Sequence, residues 1–100
     1  MSTTFEADCN HYKSKVLSLS REGDLEIVKY CTFDMDEDKL ANAVAEAIAN
    51  AVSNMTIAER REKSYTIYGK VLREVFGDDD CPCTNLGRLI TCLINDKSYD

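Results

Sequence analysis

The middle of the chain, residues 36–55, carries the clearest pattern of hydrophobic and polar positions. Every odd position from 41 to 51 is alanine, the residue with the highest helix propensity. On a 3.6-residue helix the large apolar side chains form one stripe and the polar side chains form a second. The apolar stripe comprises Leu40, Val44, Ile48, Val52 and Met55, and the polar stripe comprises Asn42, Glu46, Asn50 and Ser53. Small alanines between the stripes let neighbouring helices approach closely, so we predict a central helix.

Acidic residues mark the start of this helix. Asp34, Asp36, Glu37 and Asp38 lie within or just before its first turn. There they place negative charge at the positive end of the helix dipole, and Asp34 or Asp36 can cap free backbone N–H groups.

The first third of the chain allows two interpretations. One is an amphipathic helix over residues 4–20, because Phe5, Cys9, Tyr12, Val16 and Leu19 are spaced by four, three, four and three residues. The other is a β-hairpin over residues 12–33 that turns near Gly23, since residues 25–33 are rich in β-formers. We favour the helix, because the apolar positions before Gly23 fit a helical period better. For residues 25–33 we favour a short helix over a strand only narrowly.

The second half of the chain is predicted to form two more helices. Thr56 and Glu59 form a capping box that opens a helix running to Phe76, with Gly77 as its stop. Its second half has an apolar stripe, and Gly69 within it indicates close packing or a bend. Thr84 is expected to cap a last helix over residues 85–95. The two expected buried stripes are Tyr65, Tyr68, Leu72 and Val75, then Leu86, Leu89, Ile90 and Leu93.

Together these elements predict a single all-α domain over residues 1–100, with four or five short helices around the 36–55 helix. The alternative fold is α+β, with the N-terminal β-hairpin at 12–33.

Charge narrows the classes of partner. The net charge is −6, which disfavours direct nucleic-acid binding and binding to anionic membranes, because both need a basic face. It permits docking onto another protein with a basic surface. Two segments, residues 34–38 and 78–80, together hold seven acidic residues and no basic residue. These seven acidic residues are the predicted partner-binding residues: Asp34, Asp36, Glu37, Asp38, Asp78, Asp79 and Asp80.

The five cysteines and the first six residues indicate in which cellular compartment the protein is expected. Residues 1–6 have neither a basic start nor an apolar run, so we expect no signal peptide and no membrane span. A cytoplasmic location, with the cysteines as thiols, is the corresponding expectation.

Candidate chemistry is sparse. His11 is the only histidine, and no thiol lies in a recognisable nucleophile motif, so we expect no enzymatic activity and no cofactor. The sharpest alternative is a zinc- or thiol-based module, because Cys9, His11, Cys81 and Cys83 supply three thiols and one imidazole. Both pairs have one intervening residue, however, whereas structural zinc motifs usually have two or more.

The sequence thus favours a non-catalytic, acidic interaction protein that acts as a regulator, adaptor or inhibitor of a larger protein. Such a partner could be a basic protein that handles nucleic acid. Immunity, antitoxin, anti-restriction and anti-CRISPR proteins are functional analogies for this role. A homodimer is the other interaction we consider, with a seam on helix 36–55 or 56–76.

Overall fold

The chain folds as a bundle of helices, as seen in a computed structural model. The structure describes residues 2–19, 23, 25, 27, 28, 36–81 and 83–97. This part of the chain contains no strand, which confirms the all-α prediction. The helices are α1 (Ser2–Leu17), α2 (Glu37–Ala51), α3 (Ile57–Glu62), α4 (Ser64–Phe76) and α5 (Thr84–Ile94).

The alternative hairpin at 12–33 is wrong. Residues 12–17 belong to α1, and Leu25, Ile27 and Val28 also have helical backbone. Gly23 has a φ of 80°, and the Ile27 amide donates to its carbonyl at 3.2 Å. The left-handed glycine therefore separates two helical segments instead of turning a hairpin. The rest of the predicted 25–33 helix lies outside the described residues.

Helix α2 is the predicted central helix. Asp36 is its N-cap, and the carboxylate accepts the Lys39 N–H at 2.8 Å. The helix ends at Ala51, four residues before the predicted end at Met55. Asn54 lies in the left-handed region, with a φ of 63°, which asparagine tolerates better than most residues. The turn at residues 52–54 therefore ends the helix early.

Burial around α2 follows the sequence pattern closely. The large apolar side chains of its stripe, up to Val52, are buried, whereas Asn42, Glu46 and Asn50 are exposed or only partly buried. Buried alanines fill the space between them: Ala41, Ala45, Ala47, Ala49 and Ala51. Helix α2 packs against α1, α4 and α5, so the short alanine side chains set how closely three neighbours approach.

Helix α1 lies antiparallel to α2. Cys9 and Glu46 line one shallow groove, while Lys13 lies 3.8 Å from Asp38 near the start of α2. The predicted apolar stripe is confirmed for Tyr12, Val16 and Leu19, which are buried. Burial of the stripe decreases toward the N-terminus of α1, where Cys9 is half-buried and Phe5 is exposed.

The predicted helix over 56–76 is interrupted at one residue. Lys63 departs from helical values, with φ −103° and ψ 15°, and separates α3 from α4. The two pieces have different neighbours. In α3, Arg60 lies beside Tyr12 of α1, and Arg61 Nε donates to the Asn95 carbonyl at 3.2 Å. Helix α4 instead packs against α2 and α5, so the backbone deviates where these two sets of contacts meet.

The capping box at the start of α3 is confirmed. The Glu59 amide donates to Thr56 Oγ1 at 3.1 Å, and the Thr56 amide donates to a Glu59 carboxylate oxygen at 3.1 Å. The backbone hydrogen bond from Thr56 holds the pKa of the Glu59 carboxyl below its ordinary value.

Gly77 ends α4 as predicted, in the left-handed conformation with φ 73° and its amide bonded to the Arg73 carbonyl. The expected close packing at Gly69 is wrong, and α4 runs through Gly69 without a break. A Cβ there would meet only the Arg73 guanidinium, at 3.3 Å, and no other backbone. The interruption of the helix lies at Lys63 instead.

The last helix has the predicted buried stripe, but its start differs from the prediction. Leu86, Leu89, Ile90 and Leu93 are buried, together with Ile94. The N-cap is Cys83, with no side-chain capping bond, and Thr84 is the first residue inside the helix. The expected Thr84 cap is therefore wrong. The thiol of Cys83 is buried and does not serve as the cap acceptor.

Close packing by a glycine occurs at Gly87. Arg61, just before α4, reaches Asn95 at the end of α5, while Tyr68, farther along α4, lies against Gly87 near the start of α5. Helices α4 and α5 therefore run antiparallel. A Cβ built on Gly87 would lie 2.6 Å from the Tyr68 hydroxyl oxygen, inside van der Waals contact. The absent side chain is thus what makes room for the Tyr68 hydroxyl.

Within the described part of the chain, no helix combines the length and apolarity needed to cross a bilayer.

We expect the two glycines inside helices, Gly69 and Gly87, to respond differently in free energy of unfolding when each is replaced by alanine. Gly69→Ala should raise the free energy of unfolding by up to ~1 kcal/mol, because alanine has the higher helix propensity and only a mobile guanidinium must yield. Gly87→Ala should not give this gain, because the new methyl displaces the Tyr68 hydroxyl. Urea unfolding of both variants measures the difference.

A Tyr68→Phe background provides the control. Phenylalanine lacks the hydroxyl that meets the new methyl, so Gly87→Ala should there recover most of the ~1 kcal/mol. An equal effect of Gly87→Ala in both backgrounds would contradict the close approach of Tyr68 to Gly87.

Candidate functional site

The first acidic segment, residues 36–38, is partly used by the fold itself. Asp36 caps α2, and Asp38 forms a long, exposed ion pair with Lys13 that contributes little stability. Glu37 is half-buried in the first turn. Asp34 lies outside the described residues. The helix-start role is confirmed for Asp36, whereas the partner-binding role of this segment stays a prediction.

The second acidic segment, residues 78–80, follows Gly77 and is exposed throughout. Asp79 accepts a hydrogen bond from Arg73 Nη1 at 2.8 Å, which ties the segment back to α4. The Asp79 amide donates to Asp78 Oδ1 at 2.6 Å. No hydrogen bond or ion pair to another described residue engages the Asp80 carboxylate. Asp80 is therefore the carboxylate of this segment most available to a partner.

A groove lies beside the second acidic segment, between antiparallel α4 and α5. It opens to solvent, encloses about 650 Å³ and has a mostly apolar lining. We call it the Tyr65 groove. Its lining residues are Ser64, Tyr65, Tyr68, Asp79, Asp80, Cys81, Thr84, Gly87, Arg88, Thr91 and Cys92. Two of the predicted partner-binding residues, Asp79 and Asp80, thus border a concave surface.

The sequence pattern missed the two tyrosines of this groove, which it placed in the core. Tyr65 is 91% exposed, and Tyr68 is half-buried. The buried residues of α4 are instead Ile67, Val71 and Leu72. Tyr65 lies seven residues before the buried Leu72, which is only about 20° away around the helix at 100° per residue, but two turns nearer the start of α4. Apolar spacing therefore gave no signal for its exposure, which depends on how much of α4 the neighbouring helices cover.

A second, smaller depression of about 350 Å³ lies on the other side of the tyrosines. Its lining residues are Tyr65, Thr66, Tyr68, Gly69, Arg73 and Asp79. Both depressions therefore share the two tyrosines and Asp79. An exposed aromatic ring between two hollows, next to carboxylates, is a surface shaped for contact with another molecule.

Tyr68 and Cys81 hold the acidic segment against α5. The Tyr68 hydroxyl and the Cys81 sulfur both lie beside Gly87, and the Cys81 thiol donates to the Cys83 carbonyl at 3.1 Å. Burial raises the pKa of Cys81, outweighing the Tyr68 hydroxyl and nearby backbone amides that favour the thiolate. Burial likewise raises the pKa of Tyr68. Both groups therefore stay protonated at neutral pH and act as hydrogen-bonding contacts.

The four proposed zinc ligands do not assemble into a site. All four are described, and in this part of the chain no three cysteine, histidine or acidic side chains group to hold a metal ion. Cys9 lies half-buried on α1, and His11 is exposed on the same helix with its ring centroid 5.6 Å from that of Tyr12. Cys81 and Cys83 share a hydrogen bond beside α5. This geometry gives the zinc alternative no support.

Cys9 of α1 and Cys81, which follows the acidic segment 78–80, are expected to be poor nucleophiles. Burial raises the pKa of Cys9, and the Glu46, Asp8 and Glu6 carboxylates raise it further. A raised pKa lowers the thiolate fraction at neutral pH, and the thiolate is the reactive form. What the Tyr65 groove offers instead is aromatic area, carboxylates and hydrogen-bonding groups, which are the means of binding.

Comparisons with protein families, with curated proteins and with solved structures found no match to this chain.

Thiol alkylation checks the low reactivity of these cysteines. At pH 7 we expect iodoacetamide to modify Cys9 and Cys81 more slowly than free cysteine, because both pKa values are raised. Glu46→Gln removes one repelling carboxylate and should speed the modification of Cys9 alone. Mass spectrometry of the digested protein assigns the rate at each site. Modification of either thiol faster than free cysteine would indicate an activated nucleophile instead.

Proposed function

We propose that this chain is a non-catalytic protein–protein interaction module that regulates or inhibits a larger protein with a basic surface. One observation carries the proposal: Tyr65 stands 91% exposed between two depressions and beside the acidic segment 78–80. Large aromatic side chains cost free energy when left in water, and tyrosine is enriched among the residues that dominate binding energy at interfaces.

The charge of the chain supports a basic partner. With a net charge of −6, the protein attracts positively charged surfaces at long range and repels nucleic acid and anionic lipid. The exposed carboxylates of residues 78–80 add local negative charge at the rim of the Tyr65 groove. Rim charges of this kind accelerate association and select orientation more than they strengthen the bound state.

The role that fits these features is occupation of a basic site on a larger, cytoplasmic protein, including a protein that handles nucleic acid. Immunity, antitoxin, anti-restriction and anti-CRISPR proteins act in this manner, and the comparison is one of function alone. The proposal includes no catalytic step and no cofactor. The zinc- or thiol-based alternative lacks comparable support, because its four ligands do not converge.

Affinity purification from the native cell followed by native mass spectrometry tests the proposal. We expect a basic protein to co-purify at a fixed stoichiometry and to dissociate as salt rises. Tyr65→Ala should weaken binding by about 2 kcal/mol, roughly 30-fold in Kd. The triple variant Asp78→Asn, Asp79→Asn, Asp80→Asn should slow association and flatten the salt dependence.

A second triple variant, Asp36→Asn, Glu37→Gln and Asp38→Asn, separates the two acidic segments. Asparagine caps a helix as well as aspartate, so this variant removes charge while keeping the cap of α2. Unchanged affinity would remove residues 36–38 from the partner-binding set. A second copy of the chain is the competing partner and would register as a doubled mass. Retention of no basic protein, or equal retention by wild type and the Tyr65→Ala variant, would contradict the proposal.

A further inference from the structure

The Tyr65 groove combines two kinds of group that recognise the same chemistry. Its α4 wall presents the rings of Tyr65 and Tyr68, and its loop end presents the carboxylates of Asp79 and Asp80. Aromatic faces attract cations through the ring quadrupole, and carboxylates attract them by charge and hydrogen bonding. The rings and the carboxylates line one mostly apolar groove of about 650 Å³, which is large enough to admit a long side chain.

The two carboxylates are not equivalent. Asp79 is occupied by Arg73, with an Nη1 to Oδ1 distance of 2.8 Å. No hydrogen bond or ion pair from the described chain reaches the Asp80 carboxylate. The fold thus already contains one guanidinium–carboxylate pair at this rim and leaves the neighbouring carboxylate without one.

We propose that the Tyr65 groove receives an arginine side chain of the partner protein. The guanidinium pairs with the Asp80 carboxylate, and the methylene stem and flat face lie against Tyr65 and Tyr68. This assignment rests on the proposed function and names the chemistry of its contact.

Arginine fits the groove better than lysine does. The guanidinium is planar, stacks on aromatic rings and is more weakly hydrated than an ammonium group, so it loses less on entering a mostly apolar groove. It also matches a carboxylate with two parallel hydrogen bonds. Its methylene stem can cover the apolar lining while the charged head stays at the rim.

A cationic residue, Arg88, also borders the groove. It lines the α5 wall and is itself engaged by other groups of the protein. Thr84 opens α5 next to the acidic loop, and Arg88 follows it by four residues, or about 6 Å along the helix axis. The carboxylates of Asp79 and Asp80 lie at the loop end of the groove, and this is the end we assign to the arginine.

Nuclear magnetic resonance titration with three short blocked peptides tests the assignment. The peptides have the form Gly-Ser-X-Ser-Gly, with arginine, lysine or neutral, isosteric citrulline at X. We expect the arginine peptide to shift amides of residues 64–68, 79–81 and 84–92 in the full chain. The lysine peptide should bind about threefold more weakly or worse, and citrulline should give no saturable shift.

Matched variants distinguish the contributions of the Tyr65 ring, the Asp80 charge and non-specific electrostatic attraction to binding of the arginine peptide. Tyr65→Ala and Asp80→Asn should each weaken the arginine peptide roughly fivefold. Tyr65→Phe, which keeps the ring, should bind as wild type does. Glu74→Gln, which removes an exposed carboxylate of α4 outside the groove, should also leave binding unchanged.

Equal binding of the arginine and lysine peptides, saturable binding of citrulline, or shifts confined to other helices would overturn the assignment. These results are separable from the proposed function. A basic partner that co-purifies through Tyr65 while the arginine peptide gives no shift overturns only the groove assignment. A saturable, Asp80-dependent arginine response without any co-purifying protein supports the groove and overturns the proposed function.

Discussion

Close packing against the alanine-lined face of α2 is the constraint on which the structure depends. Five buried alanines lie between the large apolar residues of this helix, and α1, α4 and α5 all pack against it. A methyl group occupies little volume and loses no rotamer entropy on burial, so three helices can approach one axis at little cost. Large residues contributed by all of these helices then complete a single buried cluster in the described part of the chain.

The candidate site is a consequence of how α4 fits this arrangement. Helix α4 buries Ile67, Val71 and Leu72, whereas Tyr65, in the first turn of α4, stays exposed. Gly87 admits the Tyr68 hydroxyl, and Cys81, which follows the acidic segment 78–80, lies against the same glycine. The groove, its aromatic wall and its carboxylates are therefore positioned by the same contacts that stabilise the bundle.

Much of the fold could be predicted from the sequence, because its signals are local. The alanine pattern located α2, and Asp36, the Thr56 capping box and Gly77 act through hydrogen bonds within one turn. Features that depend on contacts distant in sequence were missed. The deviation at Lys63 accompanies contacts of Arg60 and Arg61 with other helices, and the exposure of Tyr65 depends on how much of α4 the neighbouring helices cover. The stripe assigned to Tyr65 and Tyr68 shows that apolar spacing alone does not reveal which turns of a helix its neighbours cover.

The packing of α2 is tested most directly by the free energy of unfolding of two leucine substitutions on the same helix. Ala47 is 1% exposed, whereas Ala43 is only partly buried. Urea unfolding should show that Ala47→Leu costs about 2 kcal/mol, because the added atoms force neighbouring helices apart. Ala43→Leu should change the stability by no more than about 0.5 kcal/mol. Equal, small effects of the two substitutions would show that the neighbours of α2 do not depend on its alanines, and would contradict the central role of close packing around this helix.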